Sequence, residues 1–189
     1  MSCHPEGGDD GHVWHFEVDG AALDRRTPPL RGGISATAPF HWDGSLADMT
    51  ALPFDTFTTR MGGRVLQPTE VAALSTWVDA IPALRSSCAL DPTTVTHGRD
   101  LFYQSGCGSC HSGPHYTNNR SMDVGTGGTF QVPSLVNVRA RAPFMHDGCA
   151  PTLYARFTDK NCGGGPKHGN AGGLSNSDLS DLEMFLWSL

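Results

Sequence analysis

The chain has 189 residues, a formal net charge of −6 at pH 7, and 23 glycines and 13 prolines. The acidic balance argues against nucleic acid or an anionic membrane surface as a partner, and no apolar run approaches the roughly 18 residues of a membrane-spanning helix. The glycine content is well above the ~7% usual in globular proteins and predicts a loop-rich fold.

Ser2-Cys3-His4 stands at the start of the chain, and the same tripeptide returns as residues 109–111 inside Cys107-Gly-Ser-Cys110-His111. The stretch after Met1 is polar and lacks the apolar segment of a signal peptide. We expect the chain to be a fragment in which Cys3 and His4 end a first Cys-x-Ser-Cys-His motif whose other cysteine lies upstream. The alternative is that Cys3-His4 is a chance dipeptide.

Two stretches before residue 105 have the apolar spacing of amphipathic helices. One covers residues 69–80, with Glu70 in its first turn and facing water, and the other covers residues 93–104. The apolar positions are Val71, Leu74, Val78 and Ile81 in the first helix and Val95, Leu101 and Phe102 in the second. Both helices are expected to contribute one face to a core.

Cys107-Gly-Ser-Cys110-His111 has the Cys-x-x-Cys-His spacing of c-type haem attachment. Cysteines at i and i+3 of a helical turn point the same way, so both thiols reach the two vinyl groups of one porphyrin. His111 then serves as the proximal ligand of the haem iron. A thioredoxin-like redox pair would need a βαβ context, and a zinc site would need a second pair of ligands, which Cys149 and Cys162 supply poorly. We therefore predict one c-type haem here.

Cys149 and Cys162 flank a predicted helix. We expect them to form a disulfide if the protein resides in an oxidising compartment. Cys88 is then unpaired, or its partner lies in the segment upstream.

The chain ends on a predicted amphipathic helix. Ser175-Asn-Ser-Asp178 resembles an N-terminal capping box with Asp in the position usually held by Glu. Apolar residues follow at helical spacing, namely Leu179, Leu182, Phe185, Leu186 and Leu189. Small c-type cytochromes cross their first and last helices beside the haem, and Gly98 would let the 93–104 helix approach Phe185 or Trp187 closely.

The two halves of the chain repeat. Residues 28–44 and 133–148 share Pro-x-Leu and Ala-Pro-Phe-x-x-Asp-Gly, the latter at a constant offset of 104 residues. Pro-x-Leu matches at an offset of 105 and Ser-Cys-His at 107. Three ordered matches at nearly one offset indicate an internal duplication. We predict two related haem modules, over residues 1–90 and 91–189, the first incomplete at its N-terminus.

These motifs resemble those of the bacterial di-haem cytochrome c peroxidases and their MauG relatives. The matching stretches are residues 40–44, 110–118, 123–125, 132–138 and 142–148. The resemblance implies a mostly α, loop-rich class-I cytochrome c-like fold, with two tandem modules whose haems lie at their interface. It also implies that Cys3 and His4 bind the first haem, with His4 proximal to its iron, and that Trp42 relays electrons between the haems.

Two departures from the family pattern bear on activity. Peroxidase relatives carry a glutamate before the methionine that matches Met61, whereas this chain has Arg60 there. Arginine stays protonated and is no general base. The family's sixth haem ligand, Met or Tyr, falls on Lys160, which as an ammonium is no ligand. The remaining candidates are His168, Met145 and Met122 for the second haem, and His12, His15 and His41 for the first.

The motifs and the resemblance predict electron transfer through covalently bound haem c in an exported, periplasmic protein that takes electrons from a redox partner protein. One haem is expected in the second module and another in the first. A peroxidase that reduces hydrogen peroxide, or a MauG-like oxidase acting on another substrate, is the alternative. The replacement of the family acid by Arg60 favours electron transfer.

Overall fold

The computed structural model describes residues 3–18, 20–84, 89–163 and 165–189. Met1, Ser2 and Cys88, on which some expectations rest, lie outside this part of the chain. The helices are α1 (Ala51–Pro53), which continues as a π-helical turn over Phe54–Arg60, α2 (Pro68–Asp79), α3 (Pro92–Gln104), α4 (Leu153–Thr158), α5 (Lys160–Gly163) and α6 (Asn176–Trp187). The strands are β1 (Val13–Val18), β2 (Ala21–Arg26), β3 (Ser121–Asp123) and β4 (Thr129–Gln131). No helix in the described ranges is long and apolar enough to cross a membrane.

The three longest helices begin at the capping residues that the sequence provides. At α3 the Asp91 carboxylate accepts a hydrogen bond from the Thr94 amide at 3.1 Å, which satisfies one of the free donors of the first turn. At α6 the predicted capping box between Ser175 and Asp178 is present in both directions. The helices α2 and α3 each start one residue earlier than predicted, because a proline fits the first helical position.

The predicted crossing of α3 and α6 forms the centre of the second half. Gly98 lies against the Asp181 carbonyl and Phe185, while Trp187 is 36% exposed, so Phe185 is the partner in the crossing. The buried cluster around this crossing consists of Phe102, Val138, Phe144, Ala150, Leu153, Cys162, Leu182, Phe185 and Leu186. Cys162 is bonded to Cys149, as predicted, with Cα atoms 5.6 Å apart.

The repeated segments adopt the same backbone conformation. Phe40 pairs with Leu46, and Phe144 with Ala150, in isolated antiparallel bridges. The residues between them match as well, since His41 and Met145 both have a positive φ, of 64° and 74°. Each repeat also contains a cis Ala-Pro bond before the bridge. The duplication seen in the sequence is therefore also a duplication of local structure.

Two antiparallel hairpins, β1–β2 and β3–β4, were not predicted. The last residue of each hairpin is hydrogen-bonded to the repeated segment in the opposite half of the chain. The Arg26 amide of β2 donates to the His146 carbonyl at 2.8 Å, and the Gln131 amide of β4 donates to the Trp42 carbonyl at 2.7 Å. The expectation of a mostly α fold was therefore incomplete. The strands β3 and β4 have only three residues each, too few for a periodic signal, and both hairpins are completed by contacts with the opposite half.

The helix α2 is the last helix of residues 1–90, as α6 is of residues 91–189, but its apolar side chains are more exposed to solvent. Trp77, which stands 108 residues before Phe185, is 60% exposed, whereas Phe185 is 3% exposed. Within the described residues no helix crosses α2 as α3 crosses α6. The first half therefore has a smaller core, in which Val78 and Ile34 are the buried aliphatic residues that the structure describes.

Candidate functional site

The Cys-x-x-Cys-His segment follows α3 directly. Gly106, with a φ of 80°, ends the helix, and the chain then makes a tight turn over Cys107–Ser109. The amides of Cys110 and His111 both donate to the Cys107 carbonyl, at 3.2 and 2.9 Å. Cys107 and Cys110 are free thiols on this turn. The turn thus presents two thiols and the following imidazole from one rigid segment.

His111 is oriented by a backbone hydrogen bond. Its Nδ1 lies 3.1 Å from the Tyr116 carbonyl oxygen, and because a carbonyl only accepts, Nδ1 carries the proton and donates. The lone pair of Nε2 is then free for a metal. Burial lowers the pKa of His111 to about 4, so the imidazole is neutral at pH 7, as metal ligation requires.

His168 has a matching arrangement on the last turn before α6. Its Nδ1 donates to the Gly163 carbonyl at 3.2 Å, which leaves Nε2 free. Burial lowers the pKa of His168 to about 3, and the positive charge of Arg156 and the neighbouring His111 act in the same direction. The rings of His111 and His168 have their centroids 6.4 Å apart and their planes 32° from parallel.

This spacing fits one metal ion held between the two imidazoles. A metal–imidazole bond is about 2 Å long and the ring centre lies about 1.1 Å beyond the ligating nitrogen, so two imidazoles on opposite sides of one ion have centroids about 6.2 Å apart. Among the described residues, no group of three or more His, Cys, Asp or Glu side chains is arranged to hold an ion. His111 and His168 could therefore hold one metal ion between them, and the described residues offer no third and fourth ligand arranged for a tetrahedral zinc site.

A cavity of about 570 Å³ adjoins these residues, a size typical of cofactor pockets. Its walls are largely apolar, and they include Cys107, Cys110, His111 and His168. Leu182 and Leu186 of α6 and Phe102 of α3 close its inner side. An apolar cavity next to two thiols and two neutral imidazoles matches the shape and chemistry of a covalently attached haem.

The same cavity extends to the first half, where it reaches His4. His4 Nδ1 donates to the Gly8 carbonyl at 3.3 Å, and burial lowers its pKa. Both features repeat those of His111, which stands 107 residues later. Cys3 is exposed.

The three histidines that the sequence offers as ligands of a first haem differ in their exposure to solvent. His12 is exposed and meets Trp14 edge to ring, and His15 is exposed and bonded to Asp24 at 2.6 Å. His41 lines the cavity and is half-buried, which lowers its pKa. Of the three, His41 is the one that faces the cavity.

Trp42 and its repeat counterpart His146 meet where the two halves join. Their rings are 6.4 Å apart and 67° from parallel, and His146 stacks on Phe130 with centroids 4.0 Å apart. The Trp42 indole Nε1 donates to the Arg26 carbonyl at 2.7 Å. Sequence reasoning singled out Trp42 and missed His146, although the repeat offset relates the two residues.

The other predicted site residues fall in different places. Arg60 is exposed at the end of the π-helical turn and forms an ion pair with Asp55 at 2.6 Å, outside the cavity. Lys160 is exposed at the start of α5. Met145 and Met122 both line the cavity. Sequence reasoning also overlooked Arg141 and Arg156, which line the cavity and give no motif signal.

No protein-family model matches this chain, and no curated protein matches it in sequence. Among solved structures, the chain is similar to Kuenenia stuttgartiensis hydrazine synthase pressurized with xenon, with a TM-score of 0.78 and 20% identity over 97% of this chain and 78% of that chain. It is also similar to a MauG-like protein associated with microbial copper homeostasis, with a TM-score of 0.65 and 18% identity over 99% of this chain and 80% of the other. The chain therefore shares the fold of a MauG-like protein, in agreement with the motif resemblance.

Proposed function

We propose that this chain transfers electrons through covalently attached c-type haem and that the second half holds its haem between two histidines. The observation that carries this proposal is that the rings of His111 and His168 lie 6.4 Å apart at the cavity, each with its Nδ1 bonded to a backbone carbonyl. When bound, haem supplies an iron that cycles between the ferrous and ferric states. Two histidine ligands would leave no coordination position for a substrate, which suits electron transfer.

The attachment chemistry follows from the turn. Cys107 and Cys110 are the thiols that would hold the haem, each by addition across one vinyl group, with the sulfur on one carbon and the thiol hydrogen on the other, so that attachment would require no oxidant. Burial raises the pKa of the Cys107 thiol, which favours its protonated form. Gly169, whose Cβ would lie 3.3 Å from the Cys107 sulfur, lets the His168 loop approach the same side.

A second haem in the first half is part of the proposal. His4, in a setting like that of His111, is its proximal ligand, and Cys3 is the cysteine next to it. His41, facing the cavity, is the candidate for the opposite side. On this view residues 1–90 and 91–189 are two tandem modules, and the contact between Trp42 and His146 supports a relay of electrons between them.

Peroxide reduction needs an open iron position and an acid–base partner. Arg60, in the place of the family acid, is paired with Asp55 on the surface and cannot act as that partner. A peroxidase or a MauG-like oxidase is therefore the second candidate, and it would require His41 to leave the iron of the first haem. The disulfide between Cys149 and Cys162 supports an exported, periplasmic location, where a redox partner protein would deliver electrons.

The test is expression in the periplasm together with haem-maturation machinery, followed by an intact mass and a pyridine haemochrome spectrum. We expect a c-type spectrum and a mass increased by at least one haem. Replacement of His111 by Ala should abolish stable attachment at the second motif. A chain that carries no haem despite export would contradict the proposal and return Cys107 and Cys110 to a thiol redox or zinc role.

A further inference from the structure

The charged side chains that line the cavity are all cationic. Among its described lining residues are Arg26, Arg31, Arg141, Arg156 and Lys167, and no Asp or Glu. A largely apolar cavity with cations alone is electrostatically unfavourable unless its ligand is anionic. The lining therefore indicates a ligand that carries carboxylate or similar groups.

Two of these cations already have a carboxylate partner in the protein: the exposed Lys167 lies 3.6 Å from Asp123, and Arg26 is paired with Asp9. Arg26 bonds Asp9 at 2.8 Å, and both side chains are almost fully buried. Arg26 also donates to the Arg141 carbonyl at 2.6 Å. The negative charge of Asp9 also raises the pKa of Arg141. Asp9 is bonded to Arg26, however, so Arg141 has no carboxylate bonded to it among the contacts that the structure describes.

Arg141 and Arg156 have only carbonyl partners among the bonds that the structure describes. Arg141 donates to the Ser134 carbonyl, and its Nε is shielded from solvent without any hydrogen-bond partner. Arg156 donates to the His168 carbonyl at 2.5 Å. Burial lowers the pKa of each arginine to about 10, so both remain charged at pH 7.

Arg141 and Arg156 both lie at the cavity that His111 and His168 line. Arg156 also donates to the backbone carbonyl of His168. The two arginines therefore lie close to the proposed haem of the second half. A guanidinium presents a rigid fork of donors that suits a carboxylate.

We propose that Arg141 and Arg156 bind the propionate carboxylates of the haem held by His111 and His168. This inference rests on the proposed function and adds an anion-binding subsite to it. Each arginine neutralises a carboxylate that would otherwise be buried without a partner, and the carboxylate in turn compensates a buried cation. Loss of an arginine leaves negative charge beside the iron, which stabilises the ferric state.

The test uses the holoprotein of Arg141→Leu and Arg156→Leu, with Arg99→Leu as the matched control because Arg99 is exposed beside Asp100 outside the cavity. The first readout is a redox titration, and the second is the propionate-bending band in the resonance Raman spectrum. We expect the oxidation equilibrium to shift about tenfold toward ferric iron in each cavity variant, or about 59 mV for one electron. The propionate band should also move, and Arg99→Leu should change neither.

The charge-retaining variants Arg141→Lys and Arg156→Lys separate propionate binding from a general field effect, and they serve if a leucine variant does not fold. Lysine keeps the charge and loses the fork, so we expect the propionate band to move while the potential stays closer to that of the unchanged protein. Cavity variants that carry haem and titrate like Arg99→Leu would overturn the inference and leave the proposed function intact. Absence of haem from the unchanged chain would instead contradict the proposed function itself.

Discussion

The carbonyl oxygen of Asp181 occupies the space that a side chain on Gly98 would need: a Cβ at this position would lie 1.9 Å from that oxygen and 2.9 Å from the Phe185 Cβ. The backbones of α3 and α6 therefore meet without an intervening side chain. This contact fixes the crossing that holds the turn with Cys107 and Cys110 next to the cavity.

Replacement of Gly98 by Ala should destabilise the fold. Alanine favours a helix by about 1 kcal/mol over glycine, but the overlap with backbone atoms cannot be relieved by rotating a side chain, and overpacking of this kind costs about 1–3 kcal/mol or more. We expect a net loss of about 2 kcal/mol in the free energy of unfolding, measured with denaturant. Gly172→Ala, where no atom lies within 4 Å, is the control; equal stability of the two variants would disprove the close crossing.

The same crossing should depend on pH through His97. His97 Nδ1 donates to the Asp181 carboxylate at 2.8 Å, and this hydrogen bond raises the pKa of His97 above its usual 6.5. A raised folded-state pKa contributes stability that is fully present below pH 6.5 and is lost as pH rises through the folded value. We expect the denaturant concentration at the unfolding midpoint to decrease as the pH rises above 6.5.

His97→Gln should remove that part of the pH dependence, whereas His12→Gln, at an exposed ring that contacts Trp14, should retain it. An NMR titration of His97 gives its pKa directly. A measured value at or below 6.5 would contradict the assignment.

His168→Ala should open one face of the second haem. The ferrous protein should then bind carbon monoxide at that haem, with a clear change in the Soret spectrum, while the unchanged protein should respond less because His168 holds the position. His15→Ala removes an exposed imidazole from the surface and serves as the control. A variant that remains low-spin and unresponsive would show that another residue, such as Met145, is the ligand.

Removal of the disulfide should weaken the second half. Cys149 and Cys162 are separated by 13 residues, and closing a loop of this length stabilises a protein by about 3 kcal/mol in the chain-entropy description. We expect Cys149→Ser with Cys162→Ser to lose an amount of this order in denaturant unfolding. Reducing agent should destabilise the unchanged protein equally and leave the double variant unaffected; any other pattern would argue against the bond.

Local patterns in the sequence were sufficient for several parts of the fold. The apolar spacing of α3 and α6 and the capping box at Ser175 predicted these helices, because helix formation depends on residues within a few positions of one another. Gly98 indicated a close approach, and the structure selected Phe185 over Trp187 as its partner. The Cys-x-x-Cys-His motif likewise depends on a single turn.

The hairpins and the contents of the cavity could not be predicted in this way. β1–β2 and β3–β4 end on hydrogen bonds to Trp42 and His146, residues of the opposite half, so their stability depends on contacts that are distant in sequence. The choice of His41 from three histidines is likewise decided by which side chain faces the cavity.

By itself, the sequence determined the Cys-x-x-Cys-His turn, the helices beside it and the internal duplication, since each is encoded in neighbouring residues or in a repeated pattern. Only the tertiary structure brought His168 within 6.4 Å of His111 and gathered Arg141 and Arg156 around the same cavity. These residues lie on separate loops and helices, and their spacing follows from the packing of α3 against α6. No local pattern carries information about distances of that kind.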